Sequence, residues 1–503
     1  MDTEFPNIVL LTLDAFNFNL ALENINLLPF FKKVVNESVV FKNAFSVGPN
    51  TFFAFPAIIG GVYPYHFGVG LPPQVPTMYS LLKRFGYNTA LINESNALLT
   101  PYYGYGRGLD YQEHFLKLSP EKNDRNRTDV FLLKQKKKGN TLQKQDITFK
   151  RSKLRKYNLV YKLSKNLYSM YRFFNLRFFD TTQRYTERRK LHQAFKAQIE
   201  EFITSKFKPP QFLWIHTIVN HLPYLPPNTD VFSEKEVDQL NYIGLSNFNL
   251  KRHISQLREL YIESLKTTDI LISDVFKFLE KAGRTDDTIV IITADHGEEF
   301  MENSPYFGHD PESSSDNLLH VPLIFYNLEK LTEEIVPKNV ECPVSTIDLM
   351  PTLLDLLGIK NKVWFSGRGL SLKPLITNTN IPEKYTHRNL YSEAWELHGL
   401  LDRSPGFSHS RTIFTVRNDR YKLKVILEKD RNGAYVEKEA NLYDWHRTKE
   451  LSLEKYYEQY FNLYSALFSH LYTESQTARM LRHHYEIQKI KDQTRKIRLR
   501  RMG

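Results

Sequence analysis

Short, wholly apolar runs constrain this chain most, because each is too brief for a helix and is closed by a polar residue or a turn. Asn7-Ile8-Val9-Leu10-Leu11-Thr12-Leu13, Phe212-Leu213-Trp214-Ile215, Thr288-Ile289-Val290-Ile291-Ile292-Thr293 and Val321-Pro322-Leu323-Ile324-Phe325-Tyr326 read as strands buried on both faces. Helical patterns lie between them. Residues 78–95 give a helix, a turn at Gly86 and a strand, 251–282 a long amphipathic helix, and Leu349 to Leu357 a helix closed by Gly358. Another helix is expected from Thr51 to Ile59, ended by Gly60-Gly61, with Thr51 as its N-cap or first-turn residue. This alternation predicts an α/β fold with a mostly parallel central sheet between helices. From about residue 375 the grammar changes. Short strands at 389–394, 411–417 and 420–427, with Glu428 to Gly433 as a hairpin turn, predict a smaller C-terminal antiparallel subdomain. The expected organisation is a main domain over 1–375 with a basic helical insertion at about 115–205, a small subdomain over 376–450, and a basic helical tail over 451–503.

Charge is distributed unevenly. Residues 131–200 hold nineteen Lys/Arg against four Asp/Glu, a surplus of fifteen positive charges that exceeds the +12 of the whole 503-residue chain. From Leu471 onward nine basic residues face three acidic ones. Helical pieces are expected inside the basic stretch at Tyr161 to Phe174 and Arg184 to Phe202. Such segments suit an anionic partner, an anionic membrane surface or nucleic acid, or are simply a solvated insertion. A lone cysteine, Cys342, excludes an internal disulfide framework and a CxxC metal knot. The first residues carry Asp2 and Glu4 ahead of a short apolar run, unlike a basic leader. The expectation is a cytoplasmic protein or one peripheral on the cytoplasmic membrane face.

The chemistry concentrates where strands end. Asp295-His296-Gly297-Glu298 follows one predicted strand and Asp14 follows another, the edge at which open α/β sheets bind ligands. If these strands are neighbours, Asp14, Asp295 and His296 converge on a divalent cation. His221, in His221-Leu222-Pro223-Tyr224, and His309, in Gly308-His309-Asp310, sit in turns where imidazole can hold an anionic oxygen or move a proton. His216 reads as a structural or supporting residue, and His320, just before a strand, as either structural or a ligand. A nucleophile would come from the turn before Phe52. Composition does not choose Thr51 over Ser46, and spacing alone allows Thr51 to be only a helix cap.

These residues, taken in order, resemble the alkaline phosphatase/sulfatase superfamily and its sulfatase-like domain. The resemblance runs from Asn7-Ile8-Val9-Leu10 and Asp14 through Thr51, Gly60-Gly61-Val62-Tyr63-Pro64, Phe85-Gly86-Tyr87 and Gly106-Arg107-Gly108. It continues through His221-Leu222-Pro223-Tyr224, Asp295-His296-Gly297-Glu298, Gly308-His309, His320-Val321-Pro322 and Asp348-Leu349-Met350-Pro351. It implies Asp14, Thr51, Asp295 and His296 as metal-binding positions, Thr51 as the nucleophile, and His221 and His309 as residues that touch the anionic group or assist the leaving group. His320 is a spare candidate for a second metal or the substrate.

Two departures shape the expected activity. Sulfatases of the usual type place Cys or Ser where this chain has Thr51, with Pro and Arg where it has Phe53 and Phe55. Threonine carries a methyl on Cβ and cannot become formylglycine without losing a carbon. Threonine at this position resembles phosphodiesterases and phosphoglycerol or phosphoethanolamine transferases. The expected function is therefore a metal-dependent hydrolase or transferase acting on a phosphoester, lipid- or glycan-linked. A sulfuric ester hydrolase is the alternative, and a non-catalytic protein binding anionic membrane or nucleic acid the third reading. Ala15, where many sulfatases carry another metal-binding Asp, favours a site with one divalent ion. Its donor set suits Zn²⁺ or Mn²⁺ and admits Ca²⁺ or Mg²⁺.

Overall fold

A computed structural model of the chain describes residues 5–115, 184–227, 231–247, 249–302, 304–330, 339–359, 369–377, 381–396, 403–447 and 449–502. The main sheet uses strands β1 (Asn7–Leu13), β2 (Val39–Phe41), β3 (Asn88–Asn93), β4 (Tyr111–His114), β5 (Gln211–Thr217), β6 (Thr288–Ala294), β7 (Leu323–Tyr326) and β8 (Asn339–Val340), in the order β8-β2-β7-β6-β1-β5-β3-β4. All neighbouring pairs are parallel except those of β7, which runs antiparallel to β2 and β6. The β7 strand starts at Leu323 rather than Val321, because Pro322 has no N–H to give to a ladder. Every residue of β1, β5 and β6 is buried, as their unbroken apolar runs require.

The two faces of β1 feed two cores. Ile8 and Leu10 join Phe55, Ile58 and Trp214 on one side, while Val9, Leu11 and Leu13 join Phe16, Tyr261 and Leu265 on the other. Helices cover both faces: α1 (Thr51–Gly60), α2 (Tyr185–Glu201), α3 (Leu250–Lys281) and α4 (Leu349–Leu356). Gly61 closes α1 at φ 63°, a left-handed cap that suits glycine. The expected helix over Arg184 to Phe202 is α2; the expected helix over Tyr161 to Phe174 lies outside the described residues.

A second, antiparallel sheet follows, β9 (Leu390–Trp395), β10 (Arg411–Arg417), β11 (Tyr421–Lys429), β12 (Tyr435–Asp444) and β13 (Lys449–Leu451), paired in chain order. β11 extends to Lys429, so the hairpin turn is tighter than the expected Glu428 to Gly433 and is built on Asp430, whose Oδ1 accepts from Asn432 and Ala434 N–H. The chain ends in α5 (Tyr457–Met502).

Candidate metal centre and active site

Parallel register brings the ends of β1, β5 and β6 to one edge, with Leu13 beside Thr217 and Ala294. Asp14 and Asp295 each follow immediately. Asp14, Asp295 and His296, all buried, offer ligand atoms within 4.8 Å of one another. Thr51 opens α1 and joins them: its Oγ1 donates to Asp295 Oδ2 at 2.9 Å and lies 3.4 Å from His296 Nε2. Thr51 is a first-turn residue rather than a cap, since Asn50 holds the N-cap position. The Ser46 hydroxyl lies 2.5 Å from the Asp295 backbone carbonyl, so it braces the loop rather than facing the cluster.

Each ligand is held by neighbours that set its orientation. Asp295 Oδ1 accepts from the backbone N–H of His296 at 2.9 Å and of Ala15 at 3.3 Å. Asp14 Oδ2 accepts from Asn96 Nδ2 at 2.8 Å and meets His216 Nε2 at 3.3 Å. The Thr12 hydroxyl accepts from Trp214 Nε1 at 2.8 Å, donates to Ile215 O at 3.3 Å and lies 2.9 Å from His216 Nδ1, which holds the ring with Nε2 toward Asp14. No described donor reaches Asp14 Oδ1, a buried carboxylate oxygen that faces His296 Nε2 at 3.5 Å. His216 thus supports the site, as its sequence position suggested. Asn96 was missed: a polar residue in the loop after β3 reads as surface until β3 is placed beside β5.

The electrostatics describe a cluster short of positive charge. Burial alone would raise the Asp14 carboxyl, but His221, the His216 hydrogen bond and His296 hold it well below the usual range. Burial and the neighbouring Asp14 carboxylate push Asp295 well above it. Burial, with His309 nearby, lowers His296 to about 3, so its imidazole is neutral. His296 Nδ1 donates to Gly297 O at 2.8 Å, and its lone pair on Nε2 points into the cluster. Two carboxylates, a neutral imidazole and a hydroxyl around an unpartnered oxygen form a donor set that fits a divalent cation.

His221 and His309 complete the edge. His309 lies tilted against both His296 and His221, with its ring centroid 4.7 Å from each. Its Nδ1 donates to Glu298 Oε2 at 2.9 Å, while Glu298 Oε1 accepts from Tyr224 at 2.7 Å. Burial would lower His309, but Glu298 outweighs it and the ring is raised. His221 Nδ1 donates to Leu222 O at 2.7 Å, and burial lowers this ring against the pull of Asp14. All three imidazoles thus commit Nδ1 to a local acceptor, and His296 turns its Nε2 to Thr51 and the two carboxylates.

His320 is not brought to this site. Its Nδ1 meets Asn19 Oδ1 and its Nε2 meets Lys42 O, both at 2.7 Å, with Phe18 and Phe45 against the ring. Because β7 runs in reverse, the start of that strand reaches the same edge but ties β2 to the helix at Phe18–Glu23. His320 is therefore a structural residue in place of the expected spare ligand. Phe53 packs on Trp395, and Phe55 packs on Trp214 and His216, so α1 brings no guanidinium near Thr51.

A further set of polar residues clamps the loop that carries His221. Arg188 on α2 donates to Ile218 O at 3.1 Å and to Pro223 O, on either side of His221. Glu94 accepts from Thr217 Oγ1, Ile218 N–H and His192; against burial, His192, Thr217 and Arg188 hold its carboxyl down at about 2.

A family model described as Sulfatase matches residues 6–359. The chain belongs to the sulfatase family. Within the alkaline phosphatase/sulfatase superfamily it is similar to human arylsulfatase K, 23% identical over 431 residues, which cover 83% of this chain and 74% of that protein. The zebrafish and rat arylsulfatases K are matched over less than a third of their length, 30% and 28%. Among solved structures, a phosphonate monoester hydrolase of Agrobacterium radiobacter aligns with a TM-score of 0.61 at 14% identity, covering 94% of this chain and 96% of that one. A 2-O GAG sulfatase aligns with a TM-score of 0.58 at 18% identity, covering 94% and 93%. At these identities the structures share the sulfatase-family fold. The buried cluster adds to that fold a site whose donor set fits a divalent ion.

Proposed function

We propose that this sulfatase-family chain hydrolyses sulfuric esters, with sulfated sugars as the substrate class. The observation that carries the reading is Thr51 Oγ1, 2.9 Å from Asp295 Oδ2 beside the Asp14, Asp295 and His296 cluster in this family's fold. The arylsulfatase K relatives and the 2-O GAG sulfatase support the substrate class.

Asp14, Asp295, His296 and Thr51 would hold a divalent ion, Zn²⁺ or Mn²⁺ before Ca²⁺ or Mg²⁺, which when bound offsets the charge of the anionic ester and lowers the pKa of a hydroxyl. The chain's own groups do the rest. Thr51 Oγ1 forms a bond to sulfur, its proton passes to Asp295 Oδ2, and the sulfur–oxygen bond to the alcohol breaks. His221 and His309 present their Nε2 atoms to the ester oxygens and manage the proton of the leaving oxygen. Water then attacks the sulfur of the threonine ester and gives a proton back to the imidazole that protonated the alcohol; the sulfur–Oγ1 bond breaks, Thr51 regains the proton held by Asp295, and sulfate leaves.

A second reading is phosphoester hydrolysis or transfer, and one specific observation favours it. Thr51 has a methyl on Cβ and Phe55 stands where a guanidinium would be, so the formylglycine route is closed to this chain. The test compares turnover of an aryl sulfate, an aryl phosphonate and a bis-aryl phosphodiester with each of the four metals, in wild type and Thr51→Ala. Fastest turnover of the sulfate, lost in Thr51→Ala, supports the proposal. A faster phosphodiester rate transfers the assignment to the second reading, and no turnover of any ester by metal-loaded protein ends both.

A further inference from the structure

The 46-residue helix α5 rests one side on the protein body and leaves an apolar side uncovered. At 3.6 residues per turn, Leu463, Leu467, His470 and Glu474 fall within an arc of about 60°. These four are buried. They seat the helix: His470 Nε2 lies 3.2 Å from Glu393 Oε1, and the Leu471 carbonyl meets His66 Nε2 at 3.1 Å. Tyr457, Phe461, Phe468 and Tyr472 fall within another arc of about 60° on the far side. They are 61%, 53%, 40% and 69% exposed, and Met480 and Ile487 are exposed on an adjoining side nearer the C-terminus. Of the thirteen exposed large hydrophobic residues described in the chain, these six lie on this one helix. Single exposed apolar residues are ordinary on a protein surface, whereas four aromatic residues along one side of a helix mark a contact face.

Charge selects what that face meets. Arg479, Arg482 and Lys489 are exposed along the same stretch, and from Leu471 to the end the sequence holds nine Lys/Arg against three Asp/Glu. A second copy would bring the same positive end and the same +12 chain, so self-association opposes like charges. An anionic lipid surface brings the opposite charge and an apolar layer at the depth that aromatic side chains reach. No described helix is long and apolar enough to cross a membrane, and this face needs only to lie on one.

We propose that the outer face of α5 is a docking surface for anionic lipid bilayers, with Tyr457, Phe461, Phe468 and Tyr472 entering the interface and the basic end meeting the headgroups. The proposal is independent of the substrate assignment. The full chain is sedimented with phosphatidylcholine vesicles with and without 30% phosphatidylglycerol, beside the variant Phe461→Ser/Phe468→Ser/Tyr472→Ser. These positions face away from the body, so circular dichroism and thermal unfolding of the variant should match wild type. The expected result is binding to the anionic vesicles, weak binding to the neutral ones, and a loss of at least roughly tenfold in affinity in the variant, the scale set by removing three apolar side chains from an interface. Absence of binding to anionic vesicles overturns the proposal. So does undiminished binding by the folded variant, which moves the contact to another basic segment. Light scattering that shows a wild-type dimer and a monomeric variant assigns the face to a second copy instead, and overturns it as well.

Discussion

Two kinds of buried acid sit in this fold, and their partners differ. Asp316 accepts from Arg417 at 2.6 Å and Lys422 at 3.0 Å, and Asp348 is held by both arms of Arg388 at 2.7 and 3.0 Å. These carboxylates are neutralised by the chain itself. Asp14 and Asp295 are as deeply buried as Asp348 and more so than the part-buried Asp316, yet among the described residues their partners are an amide, a hydroxyl, backbone N–H groups and imidazoles, with no Lys or Arg in ion-pair reach. A pair of carboxylates kept without an internal cation is a site for one that comes from solution. The first kind stabilises the fold, and the second is left free to do chemistry.

Experiments that remove one member at a time should separate the two kinds. Thr51→Ala should lower kcat by at least roughly 10³-fold, as loss of a nucleophile does, with thermal stability unchanged; steady-state kinetics against calorimetry checks this. Asp316→Ala should cost about 3–5 kcal/mol in urea unfolding by leaving Arg417 and Lys422 buried and unpaired, while metal binding persists. Saturating Zn²⁺ or Mn²⁺ should stabilise wild type by about 2.7 kcal/mol at a hundredfold excess over Kd. Asp14→Asn should abolish that thermal shift, and an unchanged shift would put the ion elsewhere. Arg188→Met should lower kcat roughly 10–100-fold, the scale of losses from residues that orient a site, with the metal shift intact and Arg188→Lys recovering part of it. The smallest effect belongs to Glu393, which burial pushes up from an ordinary 4.5 to about 7 despite the Tyr65 N–H and His66. The folded state then holds the extra proton, so this stabilisation is complete below pH 4.5 and is lost as pH rises through about 7. Glu393→Gln should flatten that decline in a melting series across pH. Asp316 has the opposite sign: its arginine and lysine hold it low against burial, so its contribution is full above the ordinary carboxylate range and fades in acid.

How far the sequence reached depended on whether a residue's role was local. Apolar runs fixed β1, β5 and β6, and an acid directly after a buried strand is conspicuous, so Asp14 and Asp295 were legible together with their shared edge. Thr51 was legible as a helix start, but its hydrogen bond to Asp295 spans 244 positions and no spacing announces it. Asn96, Glu94 and Arg188 are polar residues of ordinary loop or helix type, and their roles arise only because β3 and α2 lie against β5. His320 shows the converse limit. Its place before a strand suggested the site edge, and only the reversed direction of β7 and the engagement of both ring nitrogens assign it to the scaffold.

Ala15 lies between the two acidic strand ends with φ at 55°, its carbonyl held by Tyr261 at 2.8 Å. That backbone shape strains most side chains but is one that aspartate tolerates. An aspartate at position 15 therefore suits the main chain as it stands, whereas a β-branched residue there would strain it.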